Sequence, residues 1–181
     1  MAGVVGVGFP VACGMNLSRE ARRLASALAR RRCKLVLAES CTAGLVSAAL
    51  ARVPGISQWH CGSAVVYREH TKQQWLGVSR NTLRRCSAVS APVARQMALG
   101  VLRRTPEADL AAAITGHLGP EAPPQLDGVV FIALCRRRGS EPRLVGVWRH
   151  VLEAAARLAR QREAAAQVLR TVAEYLLDAY E

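Results

Sequence analysis

Hydrophobic positions along this chain follow two periods, and the switches between them mark out its elements. Leu24 and Leu28 recur at helical spacing behind Ser18, which has the character of an N-cap, and predict a first helix running to about Cys33. Lys34-Leu35-Val36-Leu37-Ala38 is a short apolar run suited to a buried strand. Glu39-Ser40-Cys41-Thr42 then turns into a small-residue helix, Ala43 to Arg52, closed by Val53-Pro54-Gly55. Trp59 to Tyr67 is a second β-type run, leading into a polar helical stretch that contains Lys72 and Trp75. Ser90, with Pro92 just inside the start, opens another helix to about Arg104. Leu110 to Thr115 reads as a strand ending in a Gly- and Pro-rich loop, Gly116 to Asp127. Val129 to Cys135 and Leu144 to His150 flank a Gly-Ser-Glu-Pro turn and are expected to pair antiparallel. An Ala-rich helix from about Glu153 to Tyr180 ends the pattern.

Strands separated by helices predict a layered α/β domain, and the late hairpin predicts a mixed sheet. With 181 residues, one domain suffices, assigned to 17–181. Residues 1–16 are expected to be a poorly ordered, apolar N-terminal extension. They lack the basic start of a secretory signal, and no stretch approaches the ~20 apolar residues of a membrane span. The expected location is cytoplasmic. The six cysteines form no C-x-x-C pair and no close His spacing, so neither metal nor disulfide framework is expected. No cofactor is expected either.

The formal net charge of +12 changes the picture in one respect. Of 25 basic residues only Lys34 and Lys72 are lysines. Arginine runs such as Arg30-Arg31-Arg32 and Arg136-Arg137-Arg138 fall beside element ends, where cations suit a helix C-terminus or a turn. The field favours a phosphorylated small molecule over a neutral one. Aromatics at 4% are too scarce for a base-stacking platform, so nucleic acid is not the expected partner.

Two segments carry candidate chemistry. A hydroxyl at the strand-to-helix turn of Glu39-Ser40-Cys41-Thr42-Ala43-Gly44 would sit beside free backbone N–H groups able to hold an oxyanion. The same residues also make an ordinary helix cap. In Tyr67-Arg68-Glu69-His70-Thr71-Lys72, a lysine in an arginine-dominated chain points to a task that arginine cannot perform. A guanidinium cannot act as a base, whereas a desolvated ammonium can lose its proton. A surface lysine on a helix is the plain alternative.

Taken in order, Glu39-Ser40-Cys41-Thr42-Ala43-Gly44, Gly62 to Tyr67 with Lys72 five residues on, Leu76-Gly77-Val78, Ala88-Val89-Ser90, and Thr115-Gly116 followed by Gly119-Pro120 resemble the CinA carboxy-terminal family. The resemblance covers roughly residues 18–178. It implies a three-layer α/β/α sandwich, often homodimeric, and nicotinamide-nucleotide amidase activity. Nicotinamide mononucleotide would be converted to nicotinic acid mononucleotide and ammonia without metal. It also implies Ser40 as nucleophile, Lys72 as base and Tyr67 as a supporting hydroxyl. Thr42, Gly44, Thr115, Gly116 and Arg157 would contact substrate, with Arg157 either the phosphate ligand or a solvated helix arginine. The chain departs from the family pattern at Ala43, in the loop Gly116 to Pro124 with its Glu121, at Asp127-Gly128, and at Ala155-Ala156-Arg157. His117 stands in that loop as a possible acid, or as a histidine with no chemical task. Two competing readings follow: a catalytically weak member serving as a nucleotide-binding or regulatory module, and a basic nucleic-acid-binding protein whose affinity falls steeply with salt.

Overall fold

A computed structural model of the chain describes residues 5–7 and 16–178. Its centre is a six-stranded mixed sheet in the order β1-β6-β5-β4-β2-β3. The strands are β1 (Val5–Val7), β2 (Leu35–Glu39), β3 (His60–Val65), β4 (Leu110–Gly116), β5 (Val129–Arg138) and β6 (Glu141–Val151). β2 runs parallel to both β3 and β4, β5 is antiparallel to β4 and β6, and β1 adds parallel to β6 at the edge. Six α-helices cover the sheet: α1 (Leu17–Arg31), α2 (Leu45–Ala51), α3 (Glu69–Leu76), α4 (Arg80–Cys86), α5 (Ala91–Arg104) and α6 (Arg157–Asp178). The three-layer α/β/α sandwich with a mixed sheet is therefore observed.

Side-chain alternation along the central strands builds two cores. Leu35, Leu37, Leu110, Ile114, Ile132 and Leu134 face one way and pack with α1, α2 and α6. Val36, Ala38, Ala111, Ala113 and Ala133 face the other way, under α5, with Leu76 of α3 and Leu83 of α4. Small residues on that second face let α5 lie close to the sheet. Where α5 meets the end of α3 there is no space at all: a Cβ on Gly100 would stand 2.0 Å from the Leu76 carbonyl oxygen. Gly100 thus fixes the position of α3 through backbone contact.

Several boundaries differ from expectation. α1 is capped by Asn16, whose side chain accepts from the Arg19 N–H at 3.1 Å, so Ser18 lies inside the first turn. β3 starts at His60 because Trp59 is drawn into the preceding 3-10 turn by its N–H bond to Ile56. Glu141 and Pro142 belong to β6, leaving Gly139-Ser140 as the hairpin turn. α6 begins at Arg157 rather than Glu153. The Glu163 carboxylate takes the N–H groups of Glu153 and Ala154, both at 2.9 Å, and holds them outside the helix. Helix α4 had no sequence counterpart. Of the N-terminal extension, Val5–Val7 is seen as β1, and its remainder up to residue 15 lies outside the described residues.

Candidate functional site

Three parallel strands, β3, β2 and β4, bring their carboxyl ends to one edge of the sheet, where ligands of α/β folds are commonly received. Ser40 follows β2 directly. Its N–H bonds to the Ile114 carbonyl of β4, so the residue still belongs to the sheet edge when the chain turns away. From the β3 side, α3 starts at Glu69 and points Lys72 back beneath its own first turn. Lys72 is 2% exposed and Ser40 is 6% exposed. The Lys72 Nζ lies 2.9 Å from the Ser40 Oγ, 2.9 Å from the Val66 carbonyl oxygen and 3.4 Å from that of Tyr67. Loss of water on burial pushes the Lys72 ammonium below its ordinary value of 10.5, against the opposing influence of Cys41 and Glu69.

A cavity of about 400 Å³ opens above this pair. Ser40, Lys72, Tyr67, Thr115, Gly116 and Arg157 all line it, so six of the eight residues expected at the site are brought together. Thr115 is buried, and its hydroxyl donates to the Ala88 carbonyl at 2.8 Å, tying the end of β4 to the segment before α5. Gly116 passes so near β5 that a Cβ would meet the Val130 side chain at 2.4 Å and the Val129 carbonyl oxygen at 2.8 Å. Tyr67 is 55% exposed at the rim, and its hydroxyl accepts from Arg157 Nη2 at 2.9 Å. The other terminal nitrogen of Arg157 donates to the Gly119 carbonyl, so this arginine bridges the two lips of the cavity through neutral acceptors.

Thr42 and Gly44 are not brought to this cavity. The Thr42 side chain is fully buried and donates to the Glu39 carboxylate at 2.7 Å, and the Gly44 N–H donates to the same oxygen at 3.0 Å. The N–H groups of Val46 and Ser47, at the start of α2, also go to Glu39. The expectation that these helix N-terminal donors stand free for a ligand is thereby corrected, because an internal carboxylate already occupies them. Turn residues Cys41 and Thr42 differ: their N–H groups find no backbone acceptor among the described residues. Cys41 lines the cavity, but burial raises its thiol to about 12, which removes it as a competing nucleophile.

The two acidic residues that depart from the family pattern around this loop do not present free carboxylates to the cavity. Asp127 makes two bonds to Arg160, 2.6 and 2.9 Å long, and this partner holds its carboxyl below the ordinary range. Glu121 is exposed and does not line the cavity. His117 does line it, half-buried, with its N–H on the Val129 carbonyl. Sequence reasoning missed Glu69 and Ser87 to Val89 on the cavity wall, and gave Glu39 no role. A glutamate at the end of an otherwise apolar strand, five residues before a glycine with no capping side chain, was the available signal. Among the described residues no group of three or more His, Cys, Asp or Glu side chains is arranged to hold a metal, and no helix is long and apolar enough to cross a membrane.

Comparison with known proteins adds lineage to this geometry. The family model described as the CinA C-terminal domain matches residues 18–176. A CinA-like protein of Geobacter metallireducens is 45% identical over 107 residues, 58% of this chain and 26% of that protein. Another from Thermotoga neapolitana is 36% identical over 132 residues, 72% of this chain and 32% of its own. The chain thus spans about a quarter to a third of the length of these relatives. Among solved structures, a competence-damaged protein (CinA) superfamily protein from Klebsiella pneumoniae 700603 superposes with a TM-score of 0.81 at 28% identity, covering 90% of this chain and 99% of that one. The corresponding superfamily protein from Escherichia coli gives 0.78 at 26% identity, over 93% and 94% of the two chains.

Proposed function

Since the chain belongs to the CinA C-terminal domain family, we propose that it is an amidohydrolase of pyridine nucleotides that converts nicotinamide mononucleotide to nicotinic acid mononucleotide and ammonia. The observation that carries this reading is the 2.9 Å contact between a buried lysine amine and Ser40 at a cavity mouth. A neutral amine has two N–H donors and one lone pair. With the Val66 and Tyr67 carbonyls taking the donors, the lone pair is left for the Ser40 hydroxyl proton. Lys72 then acts as general base while the Ser40 oxygen attacks the carboxamide carbon. The oxyanion falls to the Cys41 and Thr42 N–H groups, which among the described residues have no backbone acceptor and face only the Cys41 sulfur, a weak acceptor that an oxyanion outcompetes. The Lys72 ammonium returns its proton to the departing nitrogen, and ammonia leaves. Water, deprotonated by the same amine, hydrolyses the ester. Arg157 at the rim, charged and among the described residues bonded to neutral oxygens, is suited to the nucleotide phosphate.

Ammonia release from nicotinamide mononucleotide by purified protein, with and without chelator, tests the reading. Turnover insensitive to chelator and lost in Ser40→Ala supports it. A folded protein that binds the nucleotide without releasing ammonia from any pyridine-nucleotide amide would instead be a regulatory module, the reading favoured by the departures from Gly116 to Gly128. Binding of DNA with a steep salt dependence, and of no nucleotide, would replace both.

A further inference from the structure

Glu39 is 1% exposed and accepts five hydrogen bonds, yet it does not line the cavity. Its Oε2 takes the Thr42 hydroxyl at 2.7 Å, the Gly44 N–H at 3.0 Å and the Val46 N–H at 3.1 Å. Its Oε1 takes the Ser47 N–H and the Ser63 hydroxyl, both at 3.0 Å. These donors come from the turn that follows Ser40, from the first turn of α2, and from the neighbouring strand β3. Within that turn the backbone takes two successive left-handed residues, Ala43 at φ +52° and Gly44 at φ +94°. The first of these is unfavourable for a residue with a Cβ, and so needs external fixing. The turn amides of Cys41 and Thr42, which among the described residues bond neither to a backbone carbonyl nor to the Glu39 carboxylate, lie between Ser40 and this fixed point.

We propose that Glu39 is a positioning residue for the Ser40 nucleophile and for the turn amides beside it, acting through the turn rather than on the substrate. A carboxylate is specifically required. In a glutamine, the NH2 group must replace one oxygen, and on either side it meets a backbone N–H that cannot reverse its polarity: Ser47 on one side, Gly44 and Val46 on the other. The turn must then shift, and a displacement approaching 1 Å at a reacting group costs ~10²-fold in rate. The inference rests on the Ser40 nucleophile assignment but not on the identity of the amide substrate.

The test therefore uses two readouts on Glu39→Gln: covalent labelling of Ser40 by a fluorophosphonate, and kcat and KM for nicotinamide mononucleotide. The expected result is a ~10²-fold slower labelling and an equal fall in kcat, with KM and the pH midpoint of the Lys72-dependent limb unchanged. Wild-type labelling in a folded Glu39→Gln protein overturns the proposal, as does a rise in KM with kcat preserved. If Glu39→Gln does not fold, Ser63→Ala removes one donor and leaves the carboxylate and the turn backbone intact. A several-fold loss of labelling in that variant then supports the proposal, and no loss overturns it. Wild-type protein that labels at Ser40 but hydrolyses no pyridine-nucleotide amide defeats the substrate reading alone, and the Glu39 comparison is then decided by labelling.

Discussion

On the β2 side of the cavity, the turn from Glu39 to Gly44 is held from within. The Glu39 carboxylate, the Thr42 hydroxyl and the amides of Ser40, Ala43 and Gly44 are bonded within the turn or to β3 and β4, and its central side chains are buried. On the opposite side, the segment from Gly116 to Gly128 buries Leu118 and Gly128 at its ends but exposes most of 120–127, and the long side chains of Arg157 and Arg160 fasten it across the cavity rim. The first wall has no freedom to change without losing its geometry. In the second, the exposed stretch from Pro120 to Asp127 can exchange a contact without disturbing the core. In a site built this way the reaction type is written into the rigid wall and the choice of substrate into the adjustable one. The departures from the family pattern fall mainly on the second.

The comparison breaks most visibly if Ser40, held on the rigid wall, proves indifferent to its partner Lys72 on α3. Lys72→Arg keeps the charge but cannot lose its proton, and the expected outcome is a loss of about 10²–10⁴-fold in kcat. Steady-state ammonia release checks it, and activity within tenfold of wild type would remove Lys72 as the base. In the wild-type enzyme, kcat/KM should climb with pH to a limb whose midpoint lies below 10.5, the ordinary lysine value, because burial lowers Lys72. The same shift has a stability consequence with a definite sign. The folded amine binds protons less tightly than the unfolded one, so between the lowered value and 10.5 stability rises with pH. Lys72→Met should therefore unfold at a higher temperature than wild type at neutral pH, with the difference shrinking toward pH 10.5.

A smaller effect is expected on the adjustable wall. Arg157→Ala removes a charged donor at the exposed rim, and KM for the mononucleotide should rise about tenfold with kcat little changed. The dephosphorylated nucleoside should be unaffected, and equal losses for both substrates would sever Arg157 from the phosphate. The smallest effect returns to the rigid side. Ala43→Gly relieves a left-handed residue at the cost of extra unfolded-chain freedom, leaving a net gain of about 0.5 kcal/mol by denaturant titration.

Much of this was legible before the structure. β2, β4 and α5 were marked by apolar runs and a Pro near the helix start, and Lys72 by its rarity among arginines. Ser40 was marked by its place at a strand-to-helix turn. What escaped depended on partners remote in sequence. Helix α4 carries only Leu83 as a buried residue, so no apolar period announces it. Thr42 was expected at the substrate only through the family resemblance, and its hydroxyl goes instead to the buried Glu39 carboxylate. Ala154 to Ala156 are good helix formers, and the Glu163 and Arg160 side chains, six to ten residues on, hold Glu153 and Ala154 out of α6.

The Gly100 contact has a consequence for how the molecule fails. Helix α3 is eight residues long, and apart from Lys72 and Leu76 its side chains are not buried. Its docking depends on the backbone meeting of Leu76 with Gly100. Short peripheral helices of this kind detach in partial openings that leave the remaining layers intact. Departure of α3 carries the amine away from Ser40 while the sheet still stands. Warming should therefore silence turnover at a temperature below the cooperative melting of the sheet, and amide exchange in α3 should run ahead of that in β2 and β4.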